Sequence, residues 1–212
     1  VDILPTTEWL HKELKARPRS IPAGQLDYQR SLRLSIHALW GDKISLFDFI
    51  DSATATIRRG FSRAFYEGAA VCGISPAELT SFEINALQTE INQESLYLLK
   101  FASTISQERK GDQLLRAHLT RLPMWVNRYE MMRNLGQVYA CKDQKLAWVI
   151  GPTREHCADC LRLDGRVYRA STWQSSGWVP KGRSLACGGY KCLCAFSPTS
   201  LPITPGPAPK LF

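Results

Sequence analysis

No stretch of this chain approaches the roughly 18 uninterrupted apolar residues that a membrane-spanning helix requires, so none of its 212 residues is read as crossing a bilayer. There is no glycine-rich loop closing on Gly-Lys-Ser/Thr, no Gly-x-Ser-x-Gly elbow and no His-Glu-x-x-His pair, and these absences weaken the case for an enzyme. Histidine is scarce. His11, His37 and His118 stand in separate helical segments with no Glu or His at metal-binding spacing, which makes them surface or packing residues. No internal repeat is visible. No run of positive, then apolar, then small residues follows Val1, so the reading carries no secretory signal and the expected environment is a reducing cytosol. Like charge is not blocked together either. Lys and Arg outnumber Asp and Glu by 27 to 19, for a net charge of +8, which favours encounters with polyanions. The densest basic stretches, Lys12 to Arg19 and Arg58 to Arg63, read as solvated helix faces.

Against these absences stand seven cysteines, unevenly placed. Cys72 and Cys141 lie alone in apolar, helix-patterned surroundings and are expected to be free thiols acting as small core residues. The other five crowd into the stretch from Cys157 to Cys194. In a reducing compartment such clustering points to a metal rather than to disulfides.

The region 1–143 reads as almost wholly helical. A short amphipathic helix is expected after Thr6 and Thr7, ending at the basic, proline-containing break around Arg17 to Pro22, and a second from Gln25 to Trp40, with Leu32, Ile36 and Leu39 on one face and Gly41 as the stop. Ser45 with Asp48 marks the start of a long helix whose stripe includes Phe49, Ala53, Ile57, Phe61 and Phe65. That helix should reach Cys72 and stop at Gly73. Ser75-Pro76 with Glu78, and Thr80 with Glu83, give two further starts. The next helix carries Ile84, Leu87, Ile91, Leu98, Phe101 and Ile105 towards Gly111, so the two long helices should form a hairpin. A last helix, capped by Asp112, should place Leu115, Leu119, Leu122, Val126, Tyr129 and Met132 inward and kink at Pro123. A β-prone segment, Lys145 to Ile150, opens a cysteine-rich module over 144–196. The segment 197–212, with five prolines, is expected to be an extended or disordered tail. The fold class is α+β: a mainly α-helical N-terminal region with a long hairpin, then a small zinc-stabilised α+β module.

Within the module, Cys157 and Cys160 form a Cys-x-x-Cys pair, whose spacing lets both sulfurs face one point from a tight turn. Cys187, Cys192 and Cys194 return through Cys-Gly-Gly-Tyr-Lys-Cys-Leu-Cys, where Gly188 and Gly189 permit the backbone a ligand loop needs. Tetrahedral zinc asks for four such ligands. Five thiols and the neighbouring His156 compete for them; Cys157, Cys160, Cys187 and Cys192 are the expected set, with Cys194 or His156 as alternatives. A Cys-x-Cys pair on an extended segment sends its side chains to opposite faces, so one of Cys192 and Cys194 is expected in the core. Should both reach the metal, Cys187 is the ligand expected to drop out. A closed all-cysteine shell leaves no open position for substrate, so the zinc is structural rather than catalytic. A thioredoxin-like redox site would need a βαβ setting, which this helix-then-finger pattern does not offer. Asp159 and Asp164 read as turn residues, Asp164 because Gly165 follows it. Trp148, Trp173 and Trp178 read as the core of the module in preference to a platform for nucleic-acid bases.

The order of these residues resembles the phage head morphogenesis proteins similar to the minor head protein F of phage Mu. The resemblance rests on Trp148-Val149-Ile150-Gly151-Pro152-Thr153, then Glu155-His156-Cys157-x-Asp159-Cys160, Leu163-Asp164-Gly165-Arg166-Val167-Tyr168, Trp173, Pro180, Leu185 and Cys187-Gly188-Gly189-Tyr190-x-Cys192-x-Cys194. It covers about a quarter of the chain. It implies a non-enzymatic minor capsid component of the virion, located in the phage head and, during assembly, in the host cytoplasm. The implied partners are the portal protein, the major capsid protein and packaged double-stranded DNA, with a role in head morphogenesis, packaging or ejection. Many relatives carry Arg and His where Cys157 and Cys160 stand, so metal binding here rests on the thiol spacing. The alternatives are a zinc-binding nucleic-acid-recognition module and a cryptic metal-dependent nuclease or toxin.

Overall fold

The computed structural model describes residues 23–109, 114–152, 155–190 and 192–209. The helix expected after Thr6, the Asp112 cap and the last residues of the tail lie outside this range. Helices fill the first part of the described chain: α1 (Ala23–Trp40), α2 (Leu46–Ala69), α3 (Ser81–Glu108), α4 (Leu115–Leu119) and α5 (Leu122–Ala140). The remainder holds β1 (Lys145–Val149), α6 (Ala158–Leu163), β2 (Val167–Arg169), α7 (Ala170–Ser176) and β3 (Ala195–Pro198).

The expected starts and stops operate as local chemistry. The Ser45 hydroxyl accepts the Asp48 N–H at 3.1 Å and the Asp48 carboxylate accepts the Ser45 N–H at 3.2 Å, a reciprocal box that satisfies two donors a helix start would otherwise leave open. After α2 the chain tightens into a 3-10 turn, Ala70–Cys72, and leaves through Gly73 at a left-handed φ of 79°. A second 3-10 turn, Pro76–Glu78, and a Thr80–Glu83 capping box launch α3. The hairpin of α2 and α3 therefore forms where its breakers stand. Ile84, expected on the inner stripe of α3, is 38% exposed.

One expectation fails at Pro123. The single kinked helix is instead two, α4 and α5, with Pro123 in the first turn of α5. Proline lacks the N–H that an interior turn needs but not the one a first turn leaves unbonded, so the chain restarts rather than bends. The inner face of α5 shifts accordingly to Trp125, Arg128, Tyr129, Met131, Met132 and Leu135, while Val126 is only partly covered.

The core of the helical body comprises Leu32, Ile36 and Leu39 of α1, Phe49, Ile57, Phe61 and Phe65 of α2, Leu87, Ile91, Leu98 and Phe101 of α3, and the front half of α5. Helices α2 and α5 cross at Gly68 and Gly136. A methyl group at either position would lie about 2 Å from a carbonyl oxygen, that of Arg133 or Phe65, so the two backbones touch because neither residue has a side chain. Farther along, α5 leaves this core and enters a second one through Val138 and its C-cap, Cys141. It is the spine shared by both halves.

Cys72 and Cys141 are not free thiols. They form a disulfide that spans 69 residues and ties the turn after α2 to the end of α5. The expectation failed because it read each cysteine from its own neighbours, and the hairpin brings together two positions that sequence distance separates.

The sheet has the order β2-β1-β3, both pairings antiparallel, with Leu146 opposite Tyr168 and Trp148 opposite Phe196. Alternation along β1 sends Leu146 and Trp148 into the second core and Ala147 and Val149 to the opposite face, where Val167 and Leu201 meet them. Strand β3 takes in Ser197 and Pro198, the first residues of the expected tail. The chain beyond runs extended but docked. Thr204 exchanges two hydrogen bonds with Val167, at 2.9 and 2.8 Å, and the Tyr168 hydroxyl donates to the Pro207 carbonyl at 3.3 Å.

Candidate metal centre

The Cys-x-x-Cys pair is positioned by a helix start. Cys157 is the N-cap of α6 and accepts the N–H of Cys160 at 3.5 Å, which brings both sulfurs to the same end of a six-residue helix. Cys187, Cys192 and Cys194 approach from the other side on the glycine loop. Gly188 and Gly189 have φ of 59° and 74°, conformations that L side chains rarely adopt. At Gly189 a methyl group would lie 2.0 Å from the Lys181 carbonyl, so this loop closes only over glycine.

The five sulfurs fall into two triads that share Cys160. One is Cys157, Cys160 and Cys187, the other Cys160, Cys192 and Cys194, and within each triad the sulfurs lie within 4.8 Å of one another. Cys160 and Cys192 are 3.5 Å apart, close to the roughly 3.8 Å separating two sulfurs at 2.3 Å from one tetrahedral zinc. The structure thus brings all four of the expected ligands, and the alternative Cys194, into one cluster. His156 is half-buried and belongs to neither triad. Cys192 and Cys194 do not diverge. The chain there is irregular, β3 beginning only at Ala195, and the Cys194 N–H turns back to the Cys192 sulfur at 3.3 Å. The Cys187 sulfur lies with those of Cys157 and Cys160.

The electrostatics favour sulfur anions at particular positions. Cys192 is driven far below the ordinary thiol range by hydrogen bonds from Cys160 and Cys194, helped by the backbone N–H groups of Cys194 and Lys181. Cys160 is raised by its contacts with the Cys192 and Cys194 sulfurs and by burial. Burial pushes Cys157 up, but N–H and S–H donors from Cys160 and Cys187 outweigh it and its pKa is lowered. Burial raises Cys187 to about 11, against the pull of the Gly189 N–H. Thiolates are the form that ligates metal, and oriented N–H donors of this kind brace such ligands. The Trp148 indole N–H is buried without a hydrogen-bond partner, and at the neighbouring Cys194 the Cys160 contact lowers the thiol but the Cys192 contact and burial raise it to about 12. By donor chemistry, spacing and burial, these five cysteines can hold a metal ion.

Several bracing residues carried no recognisable signal in the sequence. Asp159 is more than a turn residue: its carboxylate accepts the Ala186 N–H at 2.7 Å and so ties the Cys-x-x-Cys helix to the segment just before Cys187. Asp164 does serve the turn, accepting the Ile150 N–H at 3.2 Å. Arg128 of α5 is 4% exposed and donates to the carbonyls of Lys181 and Gly188, both at 3.0 Å, with its guanidinium over the Tyr190 ring. Asn134 accepts the Phe196 N–H at 3.1 Å, and Arg183 forks onto Glu90 and Glu94 of α3. The helices therefore pack on the cysteine module rather than projecting from it.

Trp148, Trp173 and Trp178 are all at most 1% exposed, which makes them core and leaves no base-stacking platform among them. His118 is a packing residue, 3% exposed between the rings of Trp40 and Phe101 and 3.2 Å from Glu108, while His37 is exposed. No helix among the described residues is long and apolar enough to cross a membrane. Comparison with models of known protein families, with curated proteins and with solved structures finds no match to this chain.

Proposed function

We propose that the chain is a non-enzymatic minor head protein of a phage, similar to the minor head protein F of phage Mu, whose C-terminal module is stapled by structural zinc. The expected ligands are Cys157, Cys160, Cys187 and Cys192, with Cys194 or His156 as alternatives. The observation that supports this reading best is a convergence. The segments that carry the resemblance are scattered over residues 148–194, yet Trp148, Cys160, Leu163, Tyr168, Trp173, Leu185 and Cys194 all contribute to one buried cluster. A motif order that builds a single core is a folding unit, and its resemblance is to a unit of head proteins. Its sulfurs are mostly enclosed, which suits a staple better than a reactive thiol.

The role follows from surface rather than from catalysis. The net charge of +8 suits a head interior crowded with phosphate, through non-specific contacts to packaged double-stranded DNA. The helical body and the module, locked through α5, present one rigid surface to the portal protein and the major capsid protein. The buried tryptophans argue against the alternative of a base-reading nucleic-acid module. Mass spectrometry of purified particles from a phage encoding this chain tests the reading: the chain is expected among the particle proteins and in complexes isolated with the portal. Its absence from the particle overturns the proposal. Divalent-metal-dependent DNA cleavage, abolished by a single acidic substitution, would overturn its non-enzymatic part.

A further inference from the structure

We propose that the five cysteines hold two thiophilic divalent ions of the zinc type, bridged by the Cys160 thiolate. This rests on the metal-staple reading above and extends it from one ion to two.

Sharing of sulfurs is the first argument. A single tetrahedral ion needs every pair of its four sulfurs about 3.8 Å apart. Here the close sets are two triads that meet only at Cys160. One ion on Cys157, Cys160, Cys187 and Cys192 would have to draw members of different triads together. Two ions, one per triad, use the sulfurs where they stand, each held by three thiolates.

Lone pairs give a second, independent argument. Cys157 accepts the Cys160 N–H, Cys187 the Gly189 N–H, and Cys192 the N–H groups of Cys194 and Lys181. The contacts of the Cys160 sulfur are with other sulfurs, those of Cys157, Cys192 and Cys194. A terminal thiolate has lone pairs to spare for such donors. A bridging thiolate commits its lone pairs to two metals, and Cys160, 1% exposed and the one sulfur common to both triads, stands where such a bridge would lie.

Charge points the same way. On binding, each thiol gives its proton to solvent as its sulfur takes the ion. Five thiolates and two divalent ions sum to −1, whereas one ion on four thiolates sums to −2 and leaves a fifth thiol buried beside it. The smaller residual charge is the cheaper one to bury.

The test is a metal count on the full chain with Cys72→Ser and Cys141→Ser, so that only the five cluster thiols are present. The protein is stripped of metal under reducing conditions and then titrated with Co(II), followed at the thiolate-to-cobalt absorption, and with Zn(II), followed by native mass spectrometry. Two ions per chain are expected, falling to one in Cys194→Ser and in Cys187→Ser. Cys160→Ser should lose both sites, a twofold larger loss than either outer substitution. The wild-type count decides the matter even if Cys160→Ser does not fold. One ion per chain, unchanged in Cys194→Ser, overturns the bridge and leaves the single-ion staple standing. No bound ion overturns both.

Discussion

The helical body and the cysteine module solve the same problem with different means. Among the described residues the body has four substantial helices and a core in which Leu39, Ala53, Ile57, Phe61, Ala64, Phe65 and Ile105 are wholly buried, so apolar burial at about 25 cal/mol per Å² accounts for its cohesion. The described residues of the module form three short strands and two helices of six and seven residues. Such elements are too short to be stable alone. Its core instead concentrates three tryptophans and a knot of sulfur. A small unit of this kind needs a staple where a larger one needs only a stripe.

Metal removal separates the two most sharply. Apparent binding free energies of structural zinc reach about 10–16 kcal/mol, comparable to the whole stability of a domain, so chelation is expected to unfold the module while α1, α2 and α3 persist. Near-UV circular dichroism and tryptophan fluorescence should collapse, because Trp148, Trp173 and Trp178 lie in the module, while most of the far-UV helical signal remains. Full retention of the tryptophan signal in metal-free protein would show that the module stands on its apolar core alone.

The link between the regions comes next. The Cys72–Cys141 disulfide closes a loop of 69 residues, and replacing both cysteines by serine should cost about 2–4 kcal/mol, chiefly by releasing the unfolded chain. Denaturant titration checks the magnitude. Hydrogen exchange should show the loss at the end of α5 and the turn after α2, where body meets module.

The smallest effect belongs to the body alone. Ser45→Ala removes the reciprocal cap of α2 and should cost about 1 kcal/mol, with no change in metal content. The Ser45 hydroxyl holds the Asp48 carboxyl below its usual range. A carboxyl depressed in the folded state stabilises fully above its unfolded pKa, and that contribution is lost as pH falls through the lower folded value. Thermal melts of wild type and Ser45→Ala should therefore converge in acid and differ most near neutral pH.

How legible each region was follows from the range of the forces that build it. The hairpin was readable because its stripes and its Ser45, Gly73, Ser75 and Thr80 punctuation act over three or four residues. The candidate metal centre was readable as a gathering of thiols because Cys-x-x-Cys and the Gly-Gly loop are local devices. Pro123 was misread because a proline licenses either a kink or a start, and only the packing of Trp125 and Tyr129 against the body chooses between them. The bracing by Arg128, Asp159 and Arg183 was hidden, since each works across 27 or more residues and looks in sequence like an ordinary surface charge.

The sequence by itself determined an α+β chain, two helices back to back, and five thiols gathered within one module, because periodicity, capping and ligand spacing are properties of neighbours. Tertiary structure alone decided that Cys72 meets Cys141, that the proline-rich end docks on β2, that α5 serves both cores, and that the five sulfurs meet as two triads around Cys160. Each of these depends on where segments far apart in the chain come to rest, and no local pattern encodes that.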